Sequence, residues 1–216
     1  MRDINYFLKN IHLILPAIVL ALTFHEYAHA KVADLLGDPT PRREGRLSLN
    51  PLDHIDPLGF IMLIFVRFGW AKPVPINPFN FKGDRNRGVI LVSLAGPLAN
   101  LLFAFISTFL LYFSVLGFFG GASSYLYSLS QFLILYNVYF MLFNLLPIPP
   151  LDGSKVLNSI LPYNYRYKYY QIEPYAPLIL ILLLISGLLP VILAPMANSI
   201  IKALHTFTLG IINLFF

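Results

Sequence analysis

The stretch LALTFHEYAHAKVADL, residues 20–35, begins as an apolar helix and then sets His25, Glu26 and His29 within five positions. The residues before it, IHLILPAIVLALTF (11–24), read as a membrane helix. Ionisable side chains are costly in a bilayer, so their arrival at the end of such a helix points to function. At H-E-x-x-H spacing the two histidines lie about 40° apart on one helix face and can bind one metal ion, while the glutamate can reach an adjacent water. With five His and three Glu in 216 residues, chance would produce the pattern roughly 0.002 times. Polar helix packing is the plainer reading, but a carboxylate between two imidazoles is costly for that purpose.

Composition sets the environment. The chain is 57% hydrophobic and only 12% charged, where a soluble domain carries about 25% charged residues. Residues 88–151 contain no Lys, Arg, Asp, Glu or His, enough for two membrane helices of about 20 residues each. The net charge of +5 sits in the loops between apolar segments, which suits anionic lipid headgroups and not nucleic acid. With no cysteine, there is neither disulfide nor thiolate ligand, so a metal site must use histidine and carboxylate. The chain has no Gly-rich phosphate loop and no internal repeat. The expected fold is an all-α polytopic membrane protein of about four to six transmembrane helices. It forms one integral-membrane domain over residues 1–216, with no soluble domain at either end.

The first helix is predicted over 6–36, stopped by Gly37-Asp38-Pro39. A secretory signal ending at the AHA of 28–30 is set aside, because the apolar core is long and membrane protein follows it. LGFIMLIFVRFGW (58–70) covers roughly 20 Å as a helix, short of a bilayer core of about 30 Å, and Arg67 shortens it further. It reads as re-entrant or interfacial. In AKPVPINPFNFKGDRNRG (71–88), Pro73, Pro75 and Pro78 force an extended backbone. The re-entrant and extended part thus occupies 58–88. Helices follow over 89–116 and 125–146, and the prolines of 147–150 end the second. PYNYRYKYYQIEPYAP (162–177) reads as a tyrosine-rich interfacial loop. The last apolar region, 178–216, is interrupted by Pro190 and Pro195 and leaves one helix or two open.

Residues 31–87 carry nine Lys/Arg, and 147–177 carry Lys155, Arg166 and Lys168, while the turn at 117–124 has none. The positive-inside rule puts both basic stretches in the cytoplasm and the N terminus outside, provided 58–70 does not cross. A third metal ligand is then sought on that side. Glu44, Asp53, Asp56, Asp84 and Glu173 lie among loop charges, whereas Asp152 follows directly on a long uncharged helix. Asp152 is the expected third ligand; alone, it would read as a turn aspartate before Gly153.

HEYAH in an apolar helix, SLAGPLANLLFA (93–104), GWAKPVPINP (69–78) and NLLPIPPLDG (144–153) together resemble the site-2 proteases, peptidase family M50. These are intramembrane zinc metalloproteases, and NLLPIPPLDG is similar to their N-x-x-P-x-x-P-L-D-G signature. The resemblance spans most of residues 23–157 in the family's order and corresponds to a compact form without PDZ or CBS modules. It implies His25, His29 and Asp152 as ligands of one zinc per chain, Glu26 as general base and Asn144 beside the reacting carbonyl. Its implied partners are a transmembrane protein substrate and membrane lipid. Its implied location is a multi-pass place in a prokaryotic cytoplasmic membrane, with the active site toward the cytoplasm. The rival expectations are a membrane metal carrier using the same ligands without a base, and a proteolytically inert scaffold for membrane helices.

Weaker candidates complete the reading. His54 is a structural loop residue or a gating group near the site. Gly96 suggests close helix packing, and Asn100 could orient a ligand. His12 and His205 read as packing residues. Residues 73–79 could clamp an unwound substrate by strand addition, because a helical substrate hides its peptide groups.

Overall fold

The computed structural model describes residues 2–66 and 69–215. Its helices are α1 (Arg2–Leu35), α2 (Thr40–Arg43), α3 (Pro57–Val66), α4 (Arg85–Val115), α5 (Ser123–Asn144), α6 (Asp152–Ile160), α7 (Tyr163–Ile172), α8 (Ala176–Ile185) and α9 (Leu188–Phe215). Among the described residues there is no β-strand, and the expected all-α membrane fold is what the chain adopts. Among the described residues four helices are long and apolar enough to cross a bilayer: Asn5–Leu35, Arg85–Val115, Gly120–Asn144 and Leu188–Leu214. The ten residues of α3 reach only about 15 Å and cannot cross. The reading of Arg67 as a shortening charge falls outside the described residues.

Small residues bring the spans close. On α1, Ala17, Ala21, Ala30 and Ala33 are fully buried, as are Ala104 and Thr108 on α4. Such residues let helix backbones approach within van der Waals range, which in lipid replaces the hydrophobic driving force. Helices α4 and α5 form an antiparallel pair, and α1 lies against both. Ala104, Val138, Met141, Leu142, Leu189, Leu193 and Ala197 join α4, α5 and α9 in one core. Because α1, α4 and α5 alternate in direction and α3 does not cross, segments 36–84 and 145–187 leave the bundle at the same end.

Helix α1 starts at Arg2, not 6, and other boundaries also differ from the sequence reading. Helix α4 starts at Arg85, not 89, because the Asp84 side chain accepts the Arg87 N–H at 2.7 Å and caps it. Helix α5 ends at Asn144, and Asp152 opens the separate helix α6. The tyrosine-rich loop is helical over 163–172 as α7, a stretch free of Gly and Pro between Pro162 and Pro174; Tyr165 and Tyr167 remain exposed, as an interfacial role requires. The last apolar region is two helices that break at Ser186–Gly187, not at the prolines. Pro190 stands in the first turn of α9, where an N–H would lack an intrahelical partner, and Pro195 is held inside it.

Of the extended segment predicted over 71–88, residues 72–77 are neither helix nor turn, whereas Pro78–Asn80 close into a 3-10 turn capped by Asn77 and α4 begins at Arg85. The 72–77 stretch is pinned from three sides. Lys72 N–H donates to the His54 carbonyl at 2.9 Å beside an isolated antiparallel bridge between Ile55 and Ala71. Val74 N–H donates to Glu26 Oε2 at 3.2 Å. Asp38, fully buried just beyond α1, accepts from Asn77 N–H at 2.7 Å, Asn80 Nδ2 at 2.8 Å, and Thr40 N–H and Oγ1 at 3.1 and 2.6 Å. Burial alone would push the Asp38 carboxyl up, but hydrogen bonds from Asn80, Thr40 and the Asn77 backbone outweigh it and hold it below its ordinary value.

A carboxylate depressed in the folded state adds stability that is present above its unfolded pKa of about 3.9 and disappears as pH falls through the folded value. Asp38→Ala leaves buried donors unpaired, at about 1–3 kcal/mol. Hydrogen exchange of 72–80 should accelerate in this variant at neutral pH, and in the wild type only at strongly acidic pH. Unchanged exchange in Asp38→Ala would remove Asp38 as the anchor.

Candidate active site

The HEYAH turn of α1 places His25 and His29 with ring centroids 4.6 Å apart at 85°. Their Nε2 atoms are 3.0 Å apart. Asp152, the first residue of α6, brings Oδ2 to 3.1 Å from His25 Nε2 and 3.0 Å from His29 Nε2. All three side chains are buried, and their ligand atoms form one group within 4.8 Å. The chain must fold tightly back on α5 to deliver Asp152. A Cβ at Gly153 would overlap the carbonyls of Leu145 and Leu146, so only glycine allows this return.

The partners of the other ring nitrogens fix which nitrogen of each ring faces inward. Asn100 is fully buried and donates through Nδ2 to the Ala21 carbonyl at 3.0 Å and to Asn137 Oδ1 at 2.8 Å. Its Oδ1 therefore faces His25 and accepts the Nδ1 proton at 2.6 Å. His29 Nδ1–H donates to the Val92 carbonyl at 2.7 Å. Nε2 of each ring thus points inward, and in the neutral form it offers a lone pair to a metal. Two such nitrogens and a carboxylate oxygen converge on one place, as the ligands of a metal ion do. Tetrahedral zinc with bonds near 2.0–2.1 Å would set its ligands roughly 3.3 Å apart, close to the 3.0–3.1 Å found here. The donor set, two imidazoles and one carboxylate, fits zinc. Lys155 Nζ, 3.0 Å from Asp152 Oδ1, and the α6 N-terminus both favour the ionised carboxylate.

Helix packing makes room for the rings. A Cβ at Gly96 would stand 2.6 Å from His25 Cε1 and 2.7 Å from Nε2, and closer still to His29. The sequence suggested helix contact at Gly96, and the contact is with the histidines.

Beside this group lies a cavity of about 380 Å³ lined by Glu26, Val74, Asn144 and Asp152, among others. Glu26 stays outside the three-atom group, with Oε2 on the Val74 N–H. Asn144, the last residue of α5, lines the same cavity; its Nδ2 donates to the Phe140 carbonyl at 3.1 Å. His54 is not in the group. Its side chain is buried and its Nε2 donates to the Ser48 carbonyl at 2.7 Å, which ties the loop to itself as a structural residue does. His205 pairs with the Tyr112 hydroxyl at 3.1 Å and His12 stacks on Tyr125, so both are packing residues. Sequence reasoning missed Asn137, Lys155 and the Val92 carbonyl. Asn137, a lone amide in LILYNVYFMLF (133–143), carried a usable signal; a backbone carbonyl carries none.

The family model for peptidase family M50 matches residues 121–187. The chain is 39% identical to "Putative zinc metalloprotease YwhC" of Bacillus subtilis, over 92% of its own length and 91% of that protein's. It is 34% identical to "Putative zinc metalloprotease Rip2" of Mycolicibacterium smegmatis, over 68% of this chain and 56% of the relative. It is 31% identical to "Putative zinc metalloprotease MJ0611" of Methanocaldococcus jannaschii, over 67% and 68% respectively. No solved structure matches. An identity that runs nearly end to end with YwhC, joined to the family match, makes this chain a member of peptidase family M50, the site-2 protease family of zinc metalloproteases.

Proposed function

We propose that the chain is an intramembrane endopeptidase that hydrolyses peptide bonds within or near transmembrane segments of membrane-protein substrates. One observation carries the reading: the His25–His29–Asp152 group lies between membrane-spanning helices and borders a cavity that also holds Glu26. In this reading His25, His29 and Asp152 hold the zinc. Zinc, when bound, polarises the scissile carbonyl and makes water acidic enough to attack near neutral pH.

The chain's own groups do the rest. Glu26 takes the proton of the attacking water and returns it to the departing amine. One of its oxygens rests on the Val74 N–H, which leaves the other for proton transfer. Asn144 turns its amide toward the substrate carbonyl and donates to the developing oxyanion. The extended segment 72–77 lies along the cavity, where Pro73 and Pro75 keep it from coiling. An unwound substrate pairs with this segment by strand addition.

Purified protein should hold about one zinc per chain, and Glu26→Gln should keep it while losing cleavage about 10²–10⁴-fold. Undiminished cleavage by that variant would refute the assigned base. A metal carrier, which needs no base, would be unaffected by the same change. Replacing Pro73, Val74 and Pro75 together with glycine should lower cleavage at constant zinc content; unchanged cleavage would sink the strand-addition role.

The site faces the cytoplasm in this reading, because nine Lys/Arg crowd residues 31–87 on the end where Asp152 also emerges. The chain has no cysteine, so single cysteines report topology directly. In intact cells an impermeant maleimide should label Leu116→Cys and spare Leu52→Cys, and the opposite pattern would invert the orientation.

A further inference from the structure

Helix α9 buries one face and leaves a polar stripe on the other. Leu189, Leu193, Ala197 and Thr208 turn into the bundle, the last meeting Thr108 at 2.5 Å. On the opposite side, Asn198, Ser199, Lys202, Thr206 and Asn213 are all exposed. At 3.6 residues per turn these five fall within an arc of about 100° and extend over about 22 Å. The other spans turn Leu91, Leu98, Leu102, Ile106 and Leu135 outward, as lipid requires.

Lys202 is the decisive residue. It is the fifteenth of the 28 residues of α9, midway along a span, with no acidic side chain on its helix. A charged ammonium facing hydrocarbon at that depth is costly unless it is covered and paired. The carboxylates within this chain's spans are Glu26 and Asp34, both on α1. Glu26 faces the catalytic cavity and Asp34 pairs with Arg42 at 2.8 Å. A second copy therefore offers no free acid, and a two-fold dimer through the stripe would set Lys202 against its symmetry mate.

We propose that the stripe docks a transmembrane helix of a partner membrane protein that carries an aspartate or glutamate midway through its span. The carboxyl meets Lys202, and Asn198 and Asn213 supply side-chain hydrogen bonds on either side of it along the helix, while the Thr206 hydroxyl is committed to the Lys202 carbonyl at 3.0 Å. Such groups pair across helices in lipid because water is absent to compete for them.

The full chain in phosphatidylcholine vesicles, labelled at a cysteine replacing Ser124, is titrated with a fluorescent leucine-rich membrane peptide bearing one central Asp. Energy transfer should report association about three- to tenfold tighter than for the same peptide with Leu at that place. Lys202→Leu should erase the preference, Lys202→Arg should keep it, and Lys202→Glu should transfer it to a peptide with a central Lys. Lys202 is exposed, so Lys202→Leu is expected to keep the wild-type melting temperature. Equal binding of the two peptides, an Asp preference that survives Lys202→Leu, or crosslinking of α9 to α9 in a second copy would each overturn the proposal.

Discussion

Two hydrogen bonds made on the outer edges of the imidazoles govern what their inner edges can do. Asn100 Oδ1 and the Val92 carbonyl each hold an Nδ1 proton, so both Nε2 atoms turn toward the Asp152 carboxylate. Two imidazole nitrogens and a carboxylate buried together form a donor set that a zinc ion can bond. The consequence reaches beyond the site. Helix α1 supplies the imidazoles, α4 their outer partners, α5 the Asn137 that holds Asn100, and α6 the carboxylate. Metal affinity and the packing of four helices therefore rise and fall together.

Close packing serves the same centre. Gly96 leaves no side chain where the two rings stand, and Gly153 lets the chain double back so that Asp152 enters from the helix end. The extended segment, kept from coiling by its prolines, is tied to α1 twice, through Glu26 and through Asp38. Cavity wall and α1 are thus fixed to one another without a β-sheet, by carboxylates taking backbone N–H groups. Few other arrangements satisfy extended backbone this close to lipid, where an unpaired amide is costly.

What could be read in the sequence divides along physical lines. HEYAH was legible because helical spacing alone aligns its rings, and Asp152 because a charge that ends a long uncharged run stands out. The extended backbone after residue 70 was legible because proline acts locally. Asn100 was glimpsed as a possible support for a ligand, but its link to Asn137 depends on how α4 meets α5, which no local pattern encodes. The Val92 carbonyl was invisible, since every residue has one. Helix limits failed where one hydrogen bond decides them, as at Asp84, and where proline position within a turn matters more than proline itself, as at Pro190. The tyrosine-rich stretch was misread as a loop because interfacial composition masked an unbroken helical run.

The distance in sequence between His25 and Asp152 has a consequence for biosynthesis. These residues are 127 positions apart, with two further membrane crossings, α4 and α5, to be made between them. A chain still being made displays HEYAH early, yet the carboxylate that completes the group emerges only after α4 and α5 have been threaded and paired. Contacts of such long range form late, once intervening loops have closed. A truncated or half-inserted molecule thus carries two histidines and a glutamate in lipid but no assembled centre. The group is thus assembled by the threading of the chain itself, since its third member is delivered only by the return from α5.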